Sequence, residues 1–139
     1  MRAFVQMIGL AALLGTATLA PAFAKTTQYE CKFAQEGRGG GWIPEIAYIT
    51  VDDAAGTIEI YDPVIDYYVG NPIPARLTGD TKARKTFVWE FEIKNRGQGG
   101  KMRYTMSYFV DGRPVKISAK PGSYDNSWSG EGSCSVKVK

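Results

Sequence analysis

The chain has 139 residues, of which 44% are hydrophobic, 12% aromatic and 22% charged, and its formal net charge is +3. This composition excludes a disordered or collagen-like chain, and the small positive charge without a basic face argues against nucleic-acid binding. Histidine is absent, which removes the commonest general base at neutral pH, a frequent zinc ligand and the centre of a Ser-His-Asp arrangement. We therefore predict no catalytic residue, metal site or cofactor.

Residues 1–24 have the pattern of a secretory signal peptide. Arg2 precedes an apolar run over residues 3–19, and the sequence PAFA, which ends at Ala24, supplies a small-residue cleavage signal. Polar and glycine residues interrupt the run, so it falls short of the roughly 20 apolar residues that a membrane-spanning helix needs. Cleavage after Ala24 predicts a mature domain of residues 25–139, located in the periplasm or secreted, with no membrane span.

Apolar residues alternate with polar ones along the mature chain, which is typical of β-strands. The first strand is predicted from about Thr27 to Phe33, and the glycine-rich stretch 35–41 follows it as a loop. A second strand is predicted from about Glu45 to Val51. The stretch 52–56 reads as a tight hairpin turn, and it leads into a third strand from Thr57 to Tyr61.

Residues 62–74 interrupt the alternating pattern. Three prolines and a glycine prevent a continuous ladder there, yet the stretch is too apolar for a solvated loop. We expect it to fold over one end of the domain. A short strand from Ile73 to Thr78 follows.

The clearest strand runs from Thr86 to Lys94, with Phe87, Trp89, Phe91 and Ile93 on one face. The next strand predicts a matching inward face made of Met102, Tyr104, Met106, Tyr108 and Val110. A strand from Pro114 to Ala119, a loop from Lys120 to Gly130 and a last strand from about Gly132 to Val138 complete the chain.

About eight strands with short connections predict an all-β fold, a single antiparallel eight-strand barrel that occupies residues 25–139. A barrel of this size holds either packed side chains or one small ligand. A two-sheet β-sandwich is the alternative, because periodicity does not distinguish the two architectures.

Cys31 and Cys134 are the only cysteines, one near each end of the predicted domain. In an oxidising compartment such a pair is expected to form one intramolecular disulfide. That bond requires the first and last strands to lie close together, which agrees with a closed barrel.

Aromatic residues outside the alternating strands are the candidate binding residues. Rings in loops can stack on a ligand or partner while amide and carboxylate groups orient polar atoms. The alternative is that these rings plug the barrel ends and complete a small core. The predicted site consists of Trp42, Tyr67, Tyr68, Tyr124, Asp125, Asn126 and Trp128.

Glu90 and Glu92 are the carboxylates best placed for catalysis without histidine. They share one face of a predicted strand, about 7 Å apart, and a catalytic pair of acids needs comparable spacing. Such a pair also needs a cleft that raises one pKa, whereas these residues alternate onto a solvated face. An enzyme that uses carboxylates alone is therefore the least favoured hypothesis.

The sequence Tyr29-Glu30-Cys31 near the start of the mature chain, the closing Cys134 and the content of about eight strands resemble small periplasmic β-barrel proteins of the C-type lysozyme inhibitor family. The resemblance covers the two ends and the architecture. In that family an exposed loop enters the lysozyme active site, but no mid-chain motif matches here, so no functional residue is carried over. We expect a non-enzymatic β-barrel that binds a small ligand or an extracytoplasmic protein through its end loops, with inhibition of a cell-wall hydrolase such as lysozyme as the alternative.

Overall fold

The computed structural model describes residues 15, 25–34, 41–95, 98–122 and 125–139. The predicted signal peptide, apart from Gly15, lies outside the described residues, and no helix within them is long and apolar enough to cross a membrane. The elements in chain order are β1 (Thr26–Phe33), β2 (Ile46–Asp52), β3 (Thr57–Tyr61), α1 (Pro63–Tyr68), β4 (Ile73–Pro74), β5 (Arg76–Asp80), β6 (Arg84–Asn95), β7 (Gln98–Phe109), β8 (Val115–Pro121) and β9 (Trp128–Val138).

The nine strands form one antiparallel sheet in the order β4-β3-β2-β1-β9-β8-β7-β6-β5. Neighbours in the sheet are mostly neighbours in sequence, and β1 lies between β2 and the last strand, β9. The sheet curls into a nearly closed barrel. The predicted all-β, barrel-like fold is confirmed, and the strands make one sheet rather than the two sheets of a sandwich.

The two edge strands of the sheet, β4 and β5, are separated in the chain only by Ala75. Ile73 pairs with Ile60 of β3, the amide of Ala75 donates to the Ile58 carbonyl at 2.9 Å, and Arg76 pairs with Val88 of β6. This stretch therefore changes partner from one side of the barrel to the other at a single residue. The prediction of one strand over Ile73–Thr78, and with it the count of eight, was wrong because the partner change divides the strand in two.

Large side chains fill the barrel interior. Trp89 of β6 and Tyr104 of β7 are both buried and stack with parallel rings, 5.5 Å between centroids and 2° between planes. Phe91 also stacks on the Tyr104 ring, at 5.7 Å between centroids. Other buried inward-facing residues are Ile49, Ile60, Phe87, Met102, Met106 and Ile117. Packed interiors of this kind are as dense as organic crystals.

The first and last strands are joined covalently and by hydrogen bonds. Cys31 and Cys134 are directly opposed in the register of β1 and β9, and they form the predicted disulfide across a Cα–Cα distance of 4.0 Å. At the end of the same pair, the amide of Thr26 donates to the Lys139 carbonyl at 3.1 Å, and that of Lys139 donates to the Thr26 carbonyl at 2.8 Å. The disulfide is consistent with an oxidising location outside the cytoplasm.

Gly132 of β9 occupies the tightest point between β1 and β9. A Cβ atom added there would lie 1.9 Å from the Lys32 carbonyl oxygen, closer than any non-bonded contact allows. The obstacle is backbone and cannot rotate away, so this position accepts only a hydrogen as its side chain. Glycine inside a strand commonly marks such a close approach.

Two sequence predictions about individual residues were wrong. Trp128 lies in β9, which starts four residues before the predicted Gly132. Val110 follows the end of β7 and is exposed in the turn. Val136 and Val138 alternate as predicted. Both are exposed, because β8 pairs with β9 only as far as Gly132 and the remainder of β9 extends beyond it.

Val88 is buried although it was expected on the outer, solvated face of β6. It is flanked by Arg76 of β5 and Thr105 of β7 in the strand register, and Arg76 reaches Glu90, two residues along the same face, at 3.7 Å. Val88 therefore lies between the side chains of neighbouring strands on this face. Long polar side chains commonly cover apolar surface in this way.

Candidate functional site

Helix α1 closes the end of the barrel at which β3 finishes. Asp62 begins the helix as its N-cap, with Oδ1 accepting a hydrogen bond from the Ile65 amide at 2.8 Å, and Pro63 occupies the first turn. Gly70, with φ of +87°, lies just beyond the helix end. An N-cap aspartate followed by proline is a recognised helix-start signal, so the Asp62-Pro63 pair could have predicted this helix.

Four of the predicted site residues come together beside α1. The Trp42 ring stacks on Tyr68 at 5.7 Å with 13° between planes, and it lies 5.8 Å from Trp128. Tyr67 packs edge-on against Tyr68 at 4.9 Å. Sequence positions up to 86 residues apart therefore form one aromatic cluster. We refer to Trp42, Tyr67, Tyr68 and Trp128 together as the aromatic end.

The aromatic end is anchored on the core on one side and open to solvent on the other. Tyr68 stacks on the buried Phe91 at 6.0 Å, and the buried Tyr104 hydroxyl donates to the Trp42 carbonyl at 2.8 Å. Trp42, Tyr68 and Trp128 are half-buried, whereas Tyr67 is 82% exposed. The inner three rings complete the core, as the plugging alternative expects, but Tyr67 has no such role.

The polar members of the predicted site flank this cluster in the chain. Asp125 and Asn126 are exposed and precede Trp128 by three and two residues. Tyr124 lies outside the described residues. The exposed acid and amide of the predicted site therefore lie close to Trp128 in the chain.

Asp62, the N-cap residue of α1, is a buried carboxyl. It is 0% exposed, and its Oδ2 has no hydrogen-bond partner among the described residues. Burial raises the pKa of Asp62 to about 6, although hydrogen bonds from the Ile65 and Val64 amides act in the opposite direction. Burial of Tyr104, together with the nearby Asp62 carboxyl, raises the pKa of the Tyr104 hydroxyl. This hydroxyl therefore remains a hydrogen-bond donor.

The raised pKa of Asp62 predicts a stability that falls with rising pH. Between about pH 4 and pH 6 the unfolded chain has released this proton while the folded chain still holds it, so folding is favoured at the acidic end of that window. The full shift corresponds to about 3 kcal/mol. Asp62→Asn keeps an N-cap oxygen and removes the charge, so we expect the variant to gain stability over the parent as the pH rises to 7.

Thermal or urea unfolding of both proteins from pH 4 to pH 7 measures this difference. Asp53→Asn in the exposed β2–β3 turn is the control for loss of one negative charge, and it should follow the parent at every pH. If the stabilities of Asp62→Asn and of the parent change with pH in parallel, the buried carboxyl does not control stability between about pH 4 and pH 6.

Glu90 and Glu92 do not form a buried acid pair. Both are exposed on the outer face of β6. In the register with β7, Glu90 lies opposite Arg103 and Glu92 opposite Lys101, and opposite charges at such positions stabilise a sheet. Glu90 also forms an ion pair with Arg76 at 3.7 Å, and the carboxylate-enzyme hypothesis gains no support from this exposed arrangement.

Comparisons of the chain with protein-family models, with curated proteins and with solved structures give no match.

Proposed function

We propose that this protein is a non-enzymatic, extracytoplasmic binding protein that recognises a partner protein through the aromatic end. The observation that carries the proposal is the exposure of Tyr67, which projects from a cluster whose other members are anchored on the core. Tyrosine and tryptophan held in this way dominate the energetics of many protein interfaces. Little conformational entropy is lost when such rings bind, because they are already ordered.

The filled interior favours a surface site over a carrier function. The stacked Trp89, Tyr104 and Phe91 rings occupy the part of the barrel nearest the aromatic end. A small ligand inside the barrel would have to displace these buried side chains, at a cost of several kcal/mol in lost packing. A partner that contacts the exposed ring surface displaces none of them.

Site-specific photo-crosslinking in the cell envelope tests the proposal. A benzophenone amino acid replaces Tyr67 in one variant and Val110 in a control variant. Val110 is also an exposed apolar residue, but it lies in the turn after β7, at the opposite end of the barrel. We expect a discrete adduct with one protein from position 67 and none from position 110.

A substitution within the aromatic end makes the crosslinking experiment more specific. Trp42→Ala removes the ring that stacks on Tyr68 and packs at a tilt against Trp128, so it should reduce the adduct formed from position 67 severalfold. Absence of an adduct at position 67, or identical adducts from both positions, would contradict recognition by the aromatic end.

Inhibition of a cell-wall hydrolase is the narrower form of this proposal, because the hydrolase would then be the partner. Under it, the purified oxidised protein slows turnover of peptidoglycan by a lysozyme-type enzyme. Tyr67→Ala relieves the inhibition and Val110→Ala does not. Full hydrolase activity at saturating protein would reject the hydrolase as partner and leave the wider proposal to the crosslinking result.

A further inference from the structure

A second concave site lies on the outer face of the barrel, away from the aromatic end. It is a groove of about 240 Å³ across β1, β2 and β3, lined chiefly by Gln28, Tyr48, Thr50, Glu59, Tyr61 and Pro72. Known ligand pockets begin at roughly 300 Å³, so this groove suits one small group rather than a drug-sized molecule.

The register of three strands brings the lining residues together in two rows. Gln28, Thr50 and Glu59 are paired across β1, β2 and β3, and Tyr48 pairs with Tyr61 in the adjacent row. Neighbouring strands are about 4.8 Å apart and rows on one face about 7 Å apart. Two aromatic rings therefore stand beside an amide, a hydroxyl and a carboxylate at distances that one small ligand can bridge.

Acidic groups surround this groove. Glu59 lies within it and is exposed, and Glu30 adjoins Tyr48 in the strand register. Asp66 of α1 accepts a hydrogen bond from the Tyr61 hydroxyl, which raises the pKa of Tyr61 and keeps its ring neutral. No lysine or arginine lines the groove among the described residues. The neighbouring basic residues in the strand register include Lys137, opposite Gln28 on β9, and the exposed Lys32, two residues beyond Glu30 on the same face of β1.

This combination matches an organic cation better than a neutral or acidic ligand. Tyrosine faces attract ammonium and guanidinium groups. A carboxylate accepts the strong charge-assisted hydrogen bonds that such groups donate, and the Gln28 and Thr50 side chains offer further acceptors. We propose that the groove on β1–β3 binds a guanidinium or ammonium group, presented either by a free small molecule or by a basic side chain of another protein.

Nuclear magnetic resonance titration of the oxidised, ¹⁵N-labelled protein tests this assignment. The probes are arginine amide, for a free cation, and acetyl-Gly-Arg-Gly-amide, for a side-chain cation, with glucose as the neutral comparison. We expect amide signals of Gln28, Tyr48 and Glu59 to shift with both cations, with a Kd on the order of 1 mM. Tighter binding of the peptide indicates a protein side chain, and tighter binding of arginine amide indicates a free ligand.

Two variants identify the groups responsible. Glu59→Gln should weaken cation binding about fivefold, the effect of removing one exposed charge partner. Glu92→Gln, at an exposed glutamate on the outer face of β6, should leave the affinity unchanged. The proposal is overturned if neither cation shifts the groove signals, if glucose binds as well as the cations, or if Glu59→Gln binds like the parent.

Discussion

Removal of the disulfide, by the double substitution Cys31→Ala and Cys134→Ser, is expected to lower the free energy of unfolding by about 4 kcal/mol. The bond closes a loop with a sequence separation of 103 residues, and its loss releases the unfolded chain from that constraint. A small domain has a total stability of roughly 5 to 15 kcal/mol. The variant should therefore unfold at a much lower urea concentration than the parent.

The reduced parent protein is the control for this measurement. If the bond acts as a covalent constraint, unfolding of the parent in excess reductant and unfolding of the double variant should share one midpoint, well below that of the oxidised parent. Cys31 is buried and Cys134 half-buried, so alanine and serine are matched to their surroundings. A double variant within about 1 kcal/mol of the oxidised parent would show that the hydrogen bonds between β1 and β9 hold the barrel without the disulfide.

Trp89→Ala is expected to cost about 4 kcal/mol of stability. Trp89 is 1% exposed and stacks face to face on Tyr104, so the substitution leaves a large cavity and frees a second aromatic ring. Because Tyr104 also holds the Trp42 carbonyl, the damage should extend towards the aromatic end. Unfolding in urea at fixed pH measures the loss.

Two tryptophan variants separate packing from other effects. Trp89→Phe keeps most of the ring contact and removes an indole N–H that has no hydrogen-bond partner among the described residues, so it should cost much less than alanine. Trp128→Ala removes a half-buried ring and should cost less than Trp89→Ala. If Trp89→Ala and Trp128→Ala lower the free energy of unfolding equally, the stacked Trp89 and Tyr104 rings are not part of the core that stabilises the fold.

Alternating hydrophobicity was sufficient to predict most of the sheet. Strands β1, β2, β3 and β6 lie within two residues of their predicted positions, because each has one face on the core and period-two patterning reports that burial directly. The disulfide followed from cysteine number and compartment. Strand positions and the disulfide can both be predicted without knowing which strands are neighbours.

Features that depend on three-dimensional neighbours were not predictable in the same way. The partner change at Ala75 reflects the geometry of closing the barrel, and Gly132 reflects the approach of Lys32 from another strand. Helix α1 has only six residues, too few for a helical period to be visible. Its N-cap signal was present, but Asp62 is equally typical of a turn.

The two candidate sites differ in how much the sequence revealed. Aromatic residues in irregular segments are conspicuous, so four members of the aromatic end could be listed before their contacts were known. The groove on β1–β3 is built from residues that look like an ordinary solvated strand face. Only the register that aligns Gln28, Thr50 and Glu59 makes them a site.

The hydrogen bonds between Thr26 and Lys139 determine where a tag or support can be attached to the protein. Thr26 and Lys139 lie side by side, about seven residues of strand, or roughly 23 Å, from the Phe33 end of β1. A tag, fusion partner or solid support joined at Lys25 or Lys139 is therefore attached at the pole opposite Tyr67. Immobilisation at either position leaves the exposed Tyr67 ring facing away from the support.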